Sequence, residues 1–159
     1  MNYIKAKFPN STRSYVYRTE DSVKAGDTVV NAKGAKLTVT DESVDMKWVE
    51  TYGADNVSVV KKYEEYRIVD IRDAKTLITR SDGRYPLRIG RITKKPNPHI
   101  GLPMIIEYVR NADGTDYSGN ILRTSRVLGS YINERGNLVV ETTNSVYEFE
   151  LVKNAESEE

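Results

Sequence analysis

A mostly β protein of two small barrel-like lobes, with one short helix and an acidic C-terminal tail, is the fold this sequence predicts. Three observations predict it. Short β-branched and aromatic runs recur between Gly, Pro and Asn turn signals. A single stretch, residues 43 to 56, switches to helical spacing. The chain has 159 residues, enough for one ordinary core or two very small ones, since domains commonly run to about 100–150 residues. The expected division is a first lobe over 1–62, a second over 63–152 and a disordered tail over 153–159, with the junction near residues 60 to 66.

The elements follow in order. "YIKAKF" (3 to 8), "SYVYRT" (14 to 19), "DTVVNA" (27 to 32) and "KLTVTD" (36 to 41) read as an antiparallel meander. In the first, Ile4, Ala6 and Phe8 share one face and Tyr3, Lys5 and Lys7 the other, so one face is core. In "SVDMKWVETYGADN" (43 to 56), Val44, Trp48 and Tyr52 lie at near-helical spacing and Gly53 is placed to stop the helix. Strand patterns return at "VSVVKKYEEYRIVDI", "KTLITR" (75 to 80), "PLRIGRIT" (86 to 93) and "MIIEYVR" (104 to 110). The last two strands, "SRVLGSYIN" and "LVVETTNSVYEFELV", form a hairpin across "ERGN", with a positive φ expected at Gly136. The tail "KNAESEE" is acidic and lacks a run of apolar residues to bury.

Charge and composition exclude several functions. Lys plus Arg number 24 against 23 Asp plus Glu, so no global positive field holds a nucleic acid or a membrane, and any such binding is local. With no cysteine, disulfides, thiolate metal sites and cysteine nucleophiles are excluded. No window approaches the roughly 20 apolar residues of a membrane span, and MNYIKAKFPN lacks the apolar run of a signal peptide. A soluble, cytoplasmic protein is expected, and the glycosylation patterns at Asn10 and Asn56 are read as chance matches.

Catalytic constellations are absent from the pattern. His99 is the sole histidine and lies in the loop "PNPHIG", far in sequence from Ser125. "NADGTD" (111 to 116) resembles a calcium loop, but its glycine comes too early and no glutamate follows at the required position. No Gly-rich phosphate loop is present. The reading is therefore non-enzymatic, with no cofactor and no metal, and a carboxylate-based phosphodiesterase is the residual catalytic alternative.

Binding chemistry is better represented. Residues 66 to 99 hold nine Lys or Arg against Asp70, Asp73 and Asp82, with Tyr66 and Tyr85 interleaved. Arg84, Tyr85 and Arg88 sit by a turn and could offer guanidinium and ring faces to a nucleotide. In "LRTSRV", strand alternation puts Arg123 with Ser125 and Thr124 with Arg126, so the two arginines grip one phosphate only if the strand is bulged. A hydroxyl cradle from Thr124 and Ser125 with one arginine is the alternative. Eleven tyrosines against two phenylalanines and one tryptophan suit interfaces and base stacking. Tyr15 and Tyr17 share a strand face, alternating with Val16 and Arg18, which adds Tyr15, Tyr17 and Arg18 to the candidate ligand contacts.

"VKAGDTVVNAKGAKLTV", with Gly-Asp before a Val-Val strand and Gly34 in the next turn, resembles the small SH3-like barrels that include KOW-type domains of translation and transcription proteins. The longer pattern "KFPNSTRSYVYRTEDSVKAGDTVV", with "GLPMIIEYV", "LRTSRV" and "NSVYEFEL", is similar to small β-rich accessory proteins of bacteriophages, especially of Gram-positive hosts. That resemblance implies a counter-defence factor in the cytoplasm of an infected bacterium. The function expected is sequestration of a small anionic ligand, a cyclic dinucleotide or oligonucleotide immune signal (anti-CBASS type), by a homo-oligomer. The alternatives are a nucleic-acid-binding SH3-like module and an inhibitor of a host protein.

Overall fold

A computed structural model describes residues 2 to 152, so the expected tail lies outside the described residues. The chain is mostly β and divides into two compact units, with the boundary between Tyr63 and Glu64.

In the first unit, β1 (Asn2–Lys7) pairs with β2 (Ser14–Thr19) in a hairpin, and β3 (Thr28–Val30) with β4 (Lys36–Val39) in another. β4 also pairs with β1, and a two-residue β5 (Lys61–Lys62) closes on β3. The result is a curled sheet of five strands in the order β2-β1-β4-β3-β5, not the expected meander. The core side carries Ala6, Tyr17, Val29, Leu37, Val39 and Val60. The helix, α1 (Met46–Tyr52), begins where the Asp45 side chain accepts the Lys47 N–H and ends at Gly53, whose φ of 97° suits glycine alone. Its packing differs from expectation: Val49 is buried, while Trp48 and Tyr52 stand in solvent.

The second unit is a closed barrel in the order β10-β11-β6-β7-β8-β9. Its strands are β6 (Glu65–Asp73), β7 (Ile92–Lys94), β8 (Pro103–Arg110), β9 (Ile121–Ile132), β10 (Leu138–Thr142) and β11 (Ser145–Val152). Met104, Ile106 and Tyr108 of β8 alternate inward with exposed Ile105 and Glu107 outward. Bulges bend the longer strands. Between the β11 partners Glu148 and Phe149, β6 inserts Val69, and Ile68 and Ile71 therefore both point into the core. The β9–β10 hairpin turns at Gly136 with φ 78°, as expected, and Asn133 Oδ1 accepts the Arg135 and Asn137 N–H groups.

Two expected strands do not form. Residues 75 to 80 make only an isolated bridge between Arg72 and Thr79. Within 86 to 93, the first residues instead make α2 (Tyr85–Arg88), a single helical turn, before β7 begins at Ile92. Pro86 fits the first turn of a helix, where no N–H is needed. The long connection from β6 to β7 folds back on the barrel, with Tyr85 and Ile89 packed against its core.

Candidate functional site

The sequence places nine cations in residues 66 to 99, and the barrel neutralises many of them with carboxylates distant in the chain. Arg72 lies 3.1 Å from Glu148 and 3.2 Å from Asp70. Arg67 meets Glu150, Lys94 meets Glu107, and Lys95 meets Glu64. Arg80 pairs with Asp73 and Asp82 and donates to the Asn144 carbonyl at 2.6 Å. Among the described residues, no carboxylate lies within ion-pair distance of Arg88 or Arg91.

These two arginines stand among tyrosines. The Arg88 guanidinium is 4.8 Å from the Tyr85 ring centroid, and Arg80 is 4.6 Å from the same ring. Arg91 lies 4.4 Å from the Tyr117 ring and 5.0 Å from the Tyr108 ring, and those rings are 5.2 Å apart at 55°. Cations so placed are attracted by the ring faces. The residues come from several elements. Tyr85 and Arg88 come from α2, Tyr108 from the inward face of β8, and Tyr117 from the β8–β9 loop, where its N–H donates to the Val109 carbonyl. Arg91 follows Gly90, whose φ of 87° turns the chain into β7.

The site is under-satisfied. Four buried side-chain polar atoms have no hydrogen-bond partner among the described residues, and they are Arg80 Nε, Arg91 Nε, the Tyr108 hydroxyl and Ser145 Oγ. Such a group ordinarily costs about 1–3 kcal/mol, so a cluster of them calls for an explanation. Burial pushes the Tyr108 hydroxyl above its usual pKa, and the Arg91 guanidinium within hydrogen-bonding reach of it, together with the Arg91 and Arg88 charges, only partly offsets this. The Tyr147 hydroxyl is pushed to about 12 by burial and by the neighbouring Tyr85 and Tyr108, with the Arg88 charge and Ser145 pulling the other way. Both tyrosines are therefore neutral O–H donors at neutral pH. Two uncompensated guanidinium groups and buried hydroxyls on one cluster form a donor-rich environment suited to a phosphate or similar oxyanion.

The other sequence candidates are placed as follows. Arg84 precedes α2 and is exposed. On β9, the three residue steps from Arg123 to Arg126 face two from Ile105 to Pro103 on β8. This bulge leaves both Arg123 and Arg126 exposed, so Arg126 does not share the buried side of Thr124 as simple alternation implies. The Thr124 hydroxyl accepts the Met104 N–H at 3.0 Å and donates to the Ser125 carbonyl at 2.7 Å. Ser125 Oγ accepts the Asn144 N–H. The hydroxyl cradle is thus committed to holding strands together. In the first unit, Tyr17 is a core residue, Tyr15 is exposed, and Arg18 donates to the Val57 carbonyl while lying 3.9 Å from Asp55. In "NADGTD", Asp113 accepts from Thr115 and Asp116 from Ser118, which makes it a loop-forming segment.

Of the residues in this cluster, the sequence singled out Tyr85 and Arg88 as candidate contacts and did not single out Arg91, Tyr108, Tyr117 or Tyr147. The available signal was a tyrosine at an inward position of an alternating strand, since a buried tyrosine normally brings a partner for its hydroxyl. No helix among the described residues is long and apolar enough to cross a membrane. Comparison with protein-family models, with curated proteins and with solved structures found no match to this chain.

Proposed function

We propose that this protein is a non-catalytic binder of a small phosphorylated ligand of the nucleotide class, held by the Arg88–Arg91 cluster of the barrel. The observation that carries the reading is a pair of arginines with no carboxylate in ion-pair range, one of them with a buried Nε that lacks a hydrogen-bond partner, set beside the buried Tyr108 hydroxyl. In the proposed complex, Arg91 and Arg88 donate to phosphate oxygens, neutral Tyr108 adds a hydroxyl, and the Tyr85 or Tyr117 face receives a base. Sequestration of a cyclic nucleotide immune signal, in the phage counter-defence setting implied by the sequence resemblance, is the specific form of this proposal. A two-fold symmetric ligand would join two copies of the chain, which light scattering on ligand addition would detect.

The test is calorimetry with pyrophosphate, mononucleotides, cyclic dinucleotides and cyclic oligonucleotides. Arg91→Gln removes a charge-assisted contact worth about 1.5–3 kcal/mol, or about a 10- to 150-fold loss of affinity. Arg84→Ala and Arg123→Ala leave affinity unchanged. A ligand recovered intact from the denatured complex supports sequestration, while a converted one replaces it with catalysis. Silence across the panel, or full affinity in Arg91→Gln, rejects the site.

A further inference from the structure

The first unit carries a separate cleft of about 760 Å³ that the barrel site does not involve. It is lined by Lys5, Phe8, Arg13, Tyr15, Trp48 and Tyr52, among others, and its volume falls within the range of about 300–1,000 Å³ typical of ligand pockets. Four of these side chains are large aromatics left in solvent: Phe8, Tyr15, Trp48 and Tyr52 are 38%, 45%, 44% and 51% exposed. In a unit this small, rings kept out of the core need a reason.

Their arrangement is specific. Trp48 and Tyr52 are four residues apart on α1, so they share a helix face. Their rings stack at 4.7 Å with an interplanar angle of 10°. The helix is fixed at one end by the Asp45 cap and at the other by Gly53, whose N–H donates to Val49. Tyr15 lines the same cleft from β2, with the Arg13 guanidinium 5.3 Å from its ring centroid.

Charge chooses between occupants. Lys5 and Arg13 line the cleft, and neither they nor Lys7 has a carboxylate within ion-pair distance among the described residues. Two acids stand near them: Asp45, which also lines the cleft, caps α1, and Glu42, which accepts hydroxyl hydrogens from Ser14 and Thr40, is lowered in pKa by those bonds and by the Lys5 and Lys7 charges, so Arg13 is the cation least offset. Aromatic faces beside Arg13 and Lys5, two cations against the single lining carboxylate Asp45, match a chain of exposed bases joined by phosphates. A duplex keeps its bases stacked on each other and offers no free face to the rings. An uncharged sugar or proline-rich segment would leave Lys5 and Arg13 without counterions.

We propose that this cleft binds a short segment of single-stranded nucleic acid, with one base on the Trp48–Tyr52 stack, another on Tyr15, and backbone phosphates on Arg13 and Lys5. The site neither requires nor excludes a ligand at the Arg88–Arg91 cluster.

Trp48 is the only tryptophan in the chain, so its fluorescence reports on this cleft alone. The experiment titrates the full chain with single-stranded octathymidylate and follows tryptophan emission. Saturable quenching is expected. With two phosphate contacts, the logarithmic salt slope for a single strand is about −1.4, so raising salt fourfold weakens binding about sevenfold. Tyr15→Ala should weaken binding about 5- to 150-fold, the loss of one stacked base, with the free-protein emission spectrum unchanged as the check on folding. Arg13→Ala should halve the salt slope. Arg91→Gln should retain full oligonucleotide affinity, which separates this site from the barrel. The proposal is overturned by absence of saturable quenching, by equal affinity for the matching duplex, by quenching with only an oligosaccharide or proline-rich peptide, or by unchanged affinity in Tyr15→Ala.

Discussion

If the barrel cluster is held ready for an anion, removing its unsatisfied atoms should abolish binding without harming the free protein. Tyr108→Phe is the cleanest case. The substitution deletes one oxygen and keeps the ring, which is 97% removed from solvent by the core. A buried hydroxyl without a partner costs about 1–3 kcal/mol. The lower end applies here, because the Arg91 guanidinium beside it supplies some compensation. The free protein should therefore gain about 1 kcal/mol. The barrel unit runs from Glu64 to Val152, a size class in which that gain raises Tm by about 4–8 °C. Arg91→Met is the companion variant: relief of the unpartnered Nε opposes the loss of two ring contacts worth about 0.5–1 kcal/mol each, leaving stability nearly unchanged. Differential scanning calorimetry of the free proteins reads both effects, and pyrophosphate titration reads the lost affinity. A decrease in stability of more than about 1 kcal/mol for Tyr108→Phe would mean that the hydroxyl supports the fold. The functional argument from unsatisfied groups would then fail.

Three further outcomes test how the barrel is built. Glu148 is buried, and although burial raises its pKa, hydrogen bonds from Asn137 and Arg72 with the Arg72 charge hold the carboxyl below its usual value of 4.5. Its stabilising contribution is thus complete above that value and is lost as pH falls through the folded-state pKa; acid unfolding should show this dependence, and Glu148→Gln should flatten it. Thr124→Val leaves the Met104 N–H without its acceptor and should destabilise by about 1–3 kcal/mol in urea unfolding, while Thr124→Ser should not and neither should alter anion affinity. Gly90→Ala introduces a Cβ 2.9 Å from Ala112 Cβ at a φ of +87°, whereas Gly119→Ala meets open space at +82°. Both carry backbone strain of about 1–2 kcal/mol, but only the Gly90 change should also displace Arg91 and reduce anion affinity.

The β elements were legible where alternation and turn chemistry agree. Residues 14 to 19 read as a strand and are one, and Gly136 takes the positive φ its turn requires, whereas 138 to 152, read as one strand, divides at Thr143 and Asn144 into β10 and β11. Residues 86 to 93 misled because Leu87 and Ile89 imitate an apolar strand face, while Pro86 favours the start of a helical turn and Gly90 turns the chain before β7. In α1, the spacing of Val44, Trp48 and Tyr52 identified the helix, which begins at Met46 and buries Val49, a residue outside that series. Val49 alone was enough to seat it, which left Trp48 and Tyr52 outside. Bulges were illegible, since an extra residue such as Val69 leaves no mark on local composition yet reverses which side chains face inward.

Charge shows most directly why the site itself was only half readable. Arg72 and Arg88 lie in the same basic stretch, and in the sequence only a nearby turn sets Arg88 apart. Closing the barrel brings Glu148, 76 residues away, to Arg72, and brings tyrosines rather than a carboxylate to Arg88 and Arg91. An arginine that finds an acid across the sheet has its charge offset within the fold. One that finds only ring faces and neutral hydroxyls keeps a field that an external anion can satisfy. The difference between a structural and a ligand-seeking arginine therefore lies in strand pairing, and strand order in a barrel is set by contacts far apart in sequence.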